Sequence, residues 1–399
     1  MKSCEQEYLE WTLELVTPGF LGGADNSRPQ ALPAASIKGA LRFWYRAIVP
    51  DATIRGSEGF EARIFGTNYG QSMFLLRAKV ENDQQDKINA KELREKFIAF
   101  NQGRGLHTRN GATYLGYSLF LGENKRRMGW APGTRIHCRA IFPRGMNDQD
   151  RKGLLAAIWA LGHLGGIGSR SRRGFGSVQL AEWRSNRKSW EKLMEQLPLL
   201  DEAANMGAWH EQITRVQKRF IEWFGNWHRK RDYPHLGPET AYWLGLPGER
   251  DWAKALEQAG RRMQEFRVRR EPDYSLVKEA LMEGKRAPAR VPQRCAFGLP
   301  LTFRFSSLKK KGTMTFEAQV SAGDETRIFH RWPSPLLVRL VKIGNALYPF
   351  MLRFDGPVPG QGRLAKVGVK NWRRSVPQAD ENLLEIFMDS LEGVRPWNG

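Results

Sequence analysis

Residues 154–178, LLAAIWALGHLGGIGSRSRRGFGSV, decide how this chain is read. An apolar helix runs into a glycine-rich loop that leaves as a strand. Gly165, Gly166, Gly168, Gly174 and Gly176 frame Arg170, Arg172 and Arg173. Glycine lets a backbone take positive φ and approach a ligand closely. The arginine fork matches phosphate oxygens. Nucleotide-binding P-loops and dinucleotide fingerprints run strand, loop, helix, with the phosphate at the helix N-terminus. Here the order is helix, loop, strand, which argues against a nucleoside triphosphate site. A polyphosphate backbone laid along arginines and free N–H groups fits better, and a glycine-rich turn with solvated arginines is the alternative. Gly166–Gly176 is expected to be an exposed loop, with Trp159 and either Leu161 or Leu164 of the preceding helix facing the core.

The charge balance points the same way. The 399 residues carry 63 Lys plus Arg against 42 Asp plus Glu, a net +21, and the pI is near 10.1. Such an excess suits a polyanion, because neutralising phosphates releases condensed counterions. The longest apolar stretch, around Leu154–Leu161, is far too short to span a bilayer. The opening MKSCEQEYLEW does not read as a secretory signal. A cytoplasmic protein with no membrane partner is therefore expected. Cys4, Cys138 and Cys295 stand far apart without CxxC or Cys/His spacing, so neither zinc, another metal nor a disulfide framework is expected. No cofactor motif is seen. With 41% hydrophobic residues and 14 tryptophans the chain can bury substantial cores, and its length suits two or three domains.

Residues 7–16, EYLEWTLELV, alternate as a strand does. After a Gly/Pro-rich loop, Ser36 is expected to cap a helix, SIKGALRFWYRAIV. Ile37, Leu41, Trp44 and Ile48 share its packing face. Lys38, Arg42 and Arg46 form a ridge on another face, with Tyr45 at its edge, suited to a single-stranded nucleic acid; a solvated basic face is the alternative. Further strands are expected at Ser72–Val80, Thr113–Leu121, Thr134–Phe142 and Gly176–Trp183, with a helix at Asp148–Leu164. This is a ferredoxin-like βαββαβ plan with insertions. Residues 185–227 turn helical and charged. Beyond them the chain reads as strand-rich, with strands at Leu299–Phe305, Gly312–Ser321, Leu336–Ile343 and Ala346–Phe354. The fold class expected is α+β, with domains at 1–184 and 241–399 around a helical connector or insertion at 185–240.

The run TPGFLGGADN…LPAASIKGALRFWYRA, followed by GGIGSRSRRGFGSV, resembles the RAMP superfamily of CRISPR proteins. More narrowly it resembles the Cmr-type (type III-B) members that carry two such domains in one chain. QRCAFGLPLTF and HRWPSPLLVRLVKI look like the second domain of those members. The resemblance implies two ferredoxin-like, RRM-related domains in tandem. It also implies a non-catalytic, RNA-binding role in an RNA-guided antiviral effector, capping the end that holds the 3′ part of the guide. The implied partners are guide RNA, target RNA and other Cmr-type subunits. RNA contacts are expected from Lys38, Arg42, Arg46, Gly166, Gly168, Arg170, Arg172, Arg173 and Gly174, and from His107 and Arg109. They would reach mainly phosphate and ribose, because a guide of changing sequence cannot be read by base edges.

Catalysis is weighed against this. Single-domain relatives that cut RNA use an aspartate after the first strand, and Asp25 in GGADN sits in a similar place; an Asx turn explains it too. A histidine base is the other route to an endoribonuclease. His163 lies in an apolar helix and reads as a satisfied core histidine. His107, between Arg104 and Arg109, reads as a contact residue.

Overall fold

The computed structural model describes residues 6–22, 34–50, 59–81, 87–99, 110–122, 127–200, 203–225, 231, 233–268, 270–305, 307–308, 312–322, 325–329, 331–358, 366–370, 376 and 382–397. The first half contains β1 (Glu7–Leu15), α1 (Ala34–Ile48), α2 (Phe60–Phe65) and β2 (Leu75–Val80). An excursion follows through β3 (Lys87–Asn89), α3 (Ala90–Ala99), α4 (Gly111–Leu115) and β4 (Met128–Trp130). The half closes with β5 (Arg135–Phe142), α5 (Asp148–Leu164) and β6 (Val178–Ser185). The sheet is antiparallel in the order β2-β5-β1-β6. Alternation sends Leu9, Trp11, Leu13 and Leu15 of β1, with Ile136, Cys138, Ala140 and Phe142 of β5, into one core with Trp44, Trp159, Leu161 and Leu164.

The second half adds α6 (Lys188–Met194), α7 (Met206–Phe224), β7 (Ala241–Leu244), α8 (Trp252–Arg267) and α9 (Asp273–Met282). Strands β8 (Leu301–Arg304), β9 (Thr313–Ala322), β10 (Glu325–Phe329), β11 (Leu336–Ile343) and β12 (Ala346–Arg353) come next. The last elements are β13 (Lys366–Val369), α10 (Leu383–Asp389) and β14 (Arg395–Pro396). One sheet runs β11-β12-β7-β14, and a separate sheet is built from β8, β9, β10 and β13. Taking β7, β11, β12 and β14 as the strands, with α8 after the first and α10 before the last, the order is second, third, first, fourth. The first-half sheet has that same order.

β11 reads LLVRLVKI because both its faces are buried. Leu336, Val338 and Leu340 enter a core with Leu256, Ala259 and Met263 of α8. Leu337, Val341 and Ile343 enter the core that holds the first-half sheet and α7. A single apolar mass therefore runs from Leu9 to Phe350. Two charged residues interrupt the run: Lys342 is exposed, and Arg339 is buried. Its residue is 2% exposed, and its guanidinium donates to the carbonyls of Gly165 at 3.0 Å and Val178 at 2.6 Å. It thus ties the C-terminus of α5, where carbonyls lack partners and cations are favoured, to the start of β6. Burial brings its pKa down to about 9, so it remains charged at neutral pH.

Three sequence expectations need correction. Ser36 is not the cap of α1, which begins at Ala34; two alanines, the best helix formers, carry the helix back past it. Thr113–Leu121 is not a strand but α4 followed by a 3₁₀ turn, Tyr117–Phe120. Asn110 caps α4 by accepting from the Thr113 amide at 2.7 Å. The backbones of α4 and α8 also touch, since a Cβ on Gly111 would lie 2.1 Å from the Arg261 nitrogen. Tertiary contact thus overrides the β-propensity of Thr, Tyr and Phe. The region after 240 is not simply strand-rich, because α8 and α9 lie in it. Asp251 starts α8 by accepting from the Ala253 amide at 2.6 Å.

Replacing Arg339 with Ala leaves buried carbonyls unpaired and is expected to cost about 3 kcal/mol. Urea unfolding of the full chain checks this, and Arg339→Lys should recover only part of the loss because an ammonium lacks the fork.

Candidate nucleic-acid interface

The glycine-rich loop follows α5 as expected, but most of it faces inward. Phe175 is fully buried and packs with Phe20, Phe97 and Phe120. The Gly174 amide donates to Val338 O at 2.8 Å, and the Val338 amide returns a bond to Arg172 O at 3.1 Å. Ser177 Oγ accepts from the Leu340 amide at 3.2 Å. The loop thus extends the open edge of β11. Its glycines permit these approaches. Gly174 has φ +86°, and a Cβ there would meet Leu256 of α8 at 2.3 Å. Gly168 has φ +83°, and a Cβ would meet Phe20 O at 2.6 Å. Gly166 bridges Ser177. The expectation of an exposed loop is therefore corrected: Gly168 is exposed, Arg170–Arg173 are half-buried and Gly174–Ser177 are buried.

The three arginines separate. Arg172 donates to Ser334 O at 2.8 Å and lies 4.4 Å over the Phe43 ring of α1. Arg173 donates to Phe297 O at 3.1 Å, and burial, reinforced by the neighbouring Arg267, brings its pKa down to about 9. Arg170 is the one described non-glycine residue with positive φ, at 63°. That conformation costs an L-residue about 1–2 kcal/mol. Its Nε has no hydrogen-bond partner among the described residues.

On α1 the packing face is as expected, but the cationic ridge is engaged. Arg42 pairs with Glu61 of α2, and Arg46 Nε lies 3.7 Å from the other oxygen of that carboxylate. Lys38 sits 5.0 Å over the Phe74 ring. Tyr45 is not at the edge of the ridge: it is 2% exposed, against Phe65, and unavailable for base stacking. The open face of the first sheet is also self-satisfied. Glu10 accepts from Arg184 at 2.7 Å and lies 3.1 Å from Arg139, which covers the Tyr8 ring. Burial works to raise the Glu10 pKa, but Arg184, Arg139 and His137 outweigh it and hold it low.

Cations that sequence reading did not bring together meet elsewhere. A cavity of about 750 Å³ lies between Tyr114 and Tyr117 of the first half, Arg170 and Arg173 of the loop, and second-half Arg267, Arg294 and Arg304. Arg267 ends α8, Arg294 sits on a 3₁₀ turn (Gln293–Phe297), and Arg304 ends β8. The helical periodicity after Asp251 was the available signal for Arg267; nothing local marks Arg294 or Arg304. Asp25, His107 and Arg109 lie outside the described residues. His163 is buried and its Nε2 lacks a partner among the described residues, so it is a core histidine but not a satisfied one. No group of His, Cys, Asp and Glu suited to a metal occurs among the described residues. No helix among them is long and apolar enough to cross a membrane.

The helix–glycine loop–strand unit lies in the region where the family is recognised, since residues 12–179 match the RAMP superfamily model. That stretch is thus similar to the RAMP superfamily. Among individual proteins, the similarity runs to Cmr1 subunits of CRISPR systems. The Cmr subunit Cmr1-2 of Pyrococcus furiosus is 29% identical over 183 residues, 42% of this chain and 92% of that protein. The crystal structure of apo Cmr1 from Pyrococcus furiosus shares the fold with a TM-score of 0.58 at 21% identity, over 98% of this chain and 99% of its own. A chain of type III-B Cmr-beta, bound to cognate target RNA and AMPPnP in the presence of ssDNA, matches with a TM-score of 0.51 at 14% identity, over 88% of this chain and 95% of its own.

Two stability measurements test this geometry. Arg170→Gly relieves the left-handed conformation and should be more stable than Arg170→Ala by about 1 kcal/mol in urea unfolding. Burial, with Arg339 adding to it, holds the His163 pKa well below its ordinary 6.5. The unfolded chain therefore binds a proton below about pH 6.5 that the folded chain does not. Stability contributed by neutral His163 is present above that pH and falls as pH drops, by up to about 1.4 kcal/mol per unit. His163→Gln should flatten that acid limb between pH 6.5 and 5.

Proposed function

We propose that this chain is a non-catalytic, RNA-binding subunit of a type III-B CRISPR effector, built from two ferredoxin-like domains, 1–184 and 241–399, around a helical connector, 185–240. It assembles with other Cmr-type subunits and caps the end of the complex that holds the 3′ part of the guide RNA. The observation that carries this reading is the pairing of a fold shared with Cmr1 along 98% of the chain with a net charge of +21. The matching strand order of the two main sheets supports the tandem plan. Guide and target RNA are contacted through phosphate and ribose. In α1, Arg42 and Arg46 exchange Glu61 for phosphate when RNA binds, with Lys38 alongside. In the loop, Arg170 offers the least committed guanidinium. Arg172, Gly166, Gly168 and Gly174 act mainly by holding the loop in place, Arg173 lines the cavity beside Arg170, and His107 and Arg109 add contacts.

The test is competition binding of the full chain, alone and with its partner subunits, to labelled single-stranded RNA of two unrelated sequences. Similar affinity for both, a salt slope near −0.7 per phosphate contact, and weak competition by duplex DNA of equal length are expected. Duplex DNA competing as well as RNA, or absence of RNA binding, overturns the reading. Mg²⁺-dependent or Mg²⁺-independent cleavage lost in Asp25→Ala or His107→Ala would establish an endoribonuclease instead.

A further inference from the structure

We infer that the cavity between Tyr117, Arg170, Arg267, Arg294 and Arg304 seats consecutive phosphates of a single-stranded RNA, with one base stacked on Tyr117. This deepens the RNA-binding reading and rests on it. The first support is charge. Five arginines line the cavity and no Asp or Glu does among the described residues. Among the described residues, Arg294 alone of the five pairs with a carboxylate there, Asp273, whose oxygens also accept the amides of Gln293 and Arg294 at 2.7 Å. Like charges gathered without counter-charges repel one another, and a bound polyanion removes that repulsion.

The second support is geometry. Arg170 holds an unfavourable left-handed conformation that keeps its side chain on this wall. Strain of this kind persists where the surroundings impose it and clusters at ligand sites. Arg267 lies 4.7 Å over the Phe297 ring and 6.0 Å from that of Tyr114, which leaves the edges of its planar fork to meet oxygens. Arg294 is similarly stacked, 4.2 Å over Phe303. These stacks hold the guanidiniums without using their donors.

The third support distinguishes RNA from a small anion. The cavity, at about 750 Å³, lies within the usual range for organic ligands, about 300–1,000 Å³, and is far larger than one phosphate needs. Tyr117 is 57% exposed at its wall. An aromatic platform beside a basic groove is the arrangement by which single strands bind without sequence preference. An acidic peptide would use the arginines but gives no reason for the exposed ring.

The full chain, folded by the criterion of an unchanged melting curve, is titrated with a fluorescent 12-nucleotide oligouridylate at several salt concentrations. Arg267→Ala with Arg304→Ala should lower the log–log salt slope by about 1.4. Tyr117→Ala should weaken binding about tenfold, and Tyr117→Phe should restore it. Lys38→Ala, on a different element, should leave the effect of Tyr117→Ala unchanged. If the wild-type chain binds the oligomer but all cavity variants bind with wild-type affinity and slope, the cavity assignment is wrong and the RNA-binding reading stands. If the wild-type chain binds no RNA, alone or assembled, both fail. Displacement of the oligomer by a polyglutamate peptide of equal charge as effectively as by unlabelled RNA also overturns the assignment, in favour of an acidic protein partner.

Discussion

The rest of the structure depends on how β11 is held. This strand places one face in each of two cores, and its free edge is completed by the glycine-rich loop of the other half. Arg339 sits at the centre of that contact, donating to carbonyls at the end of α5 and the start of β6. A buried cation with no carboxylate partner among the described residues is costly unless its donors are filled. Here backbone carbonyls that would otherwise be orphaned fill them, so the strand, the helix end and the loop are fixed together. The two halves behave as one packed unit because their seam is made from backbone hydrogen bonds as well as apolar surface.

That constraint changes the chemistry of the loop. Glycines and arginines in one short run suit a phosphate cradle, and they equally suit a joint where backbones approach closely. The structure uses Gly174, Phe175 and Arg172 for the joint. It turns Arg170 and Arg173 toward the cavity shared with α8 and β8. RNA held in that cavity would touch groups from both halves at once. Binding there would therefore be coupled to the integrity of the seam.

Much of the fold was legible from the sequence because its signals were long and periodic. The apolar side chains of β1, α5 and β11 lie on the faces that the structure buries, with Glu10, Thr12, Asp150 and Arg339 as polar residues buried among them. Thr113–Leu121 misled because its strand-forming side chains say nothing about the Gly111–Gly260 contact that makes it helical. The cationic ridge of α1 was read correctly as a face, but no helical wheel can show that Glu61 of another helix lies between Arg42 and Arg46. The cavity was not legible at all, since its arginines come from positions 170 to 304 and meet only through tertiary structure.

The central claim is that the glycine-rich loop is first a joint onto β11 and only through Arg170 and Arg173 part of a polyanion site. Amide hydrogen exchange of the full chain tests it most directly at Gly174, Val338 and Leu340. The account predicts protection at these amides approaching that of the β1–β5 ladder, since all three donate across the buried seam. Exchange at the rate of an exposed loop, with the β1–β5 ladder still protected, would contradict it.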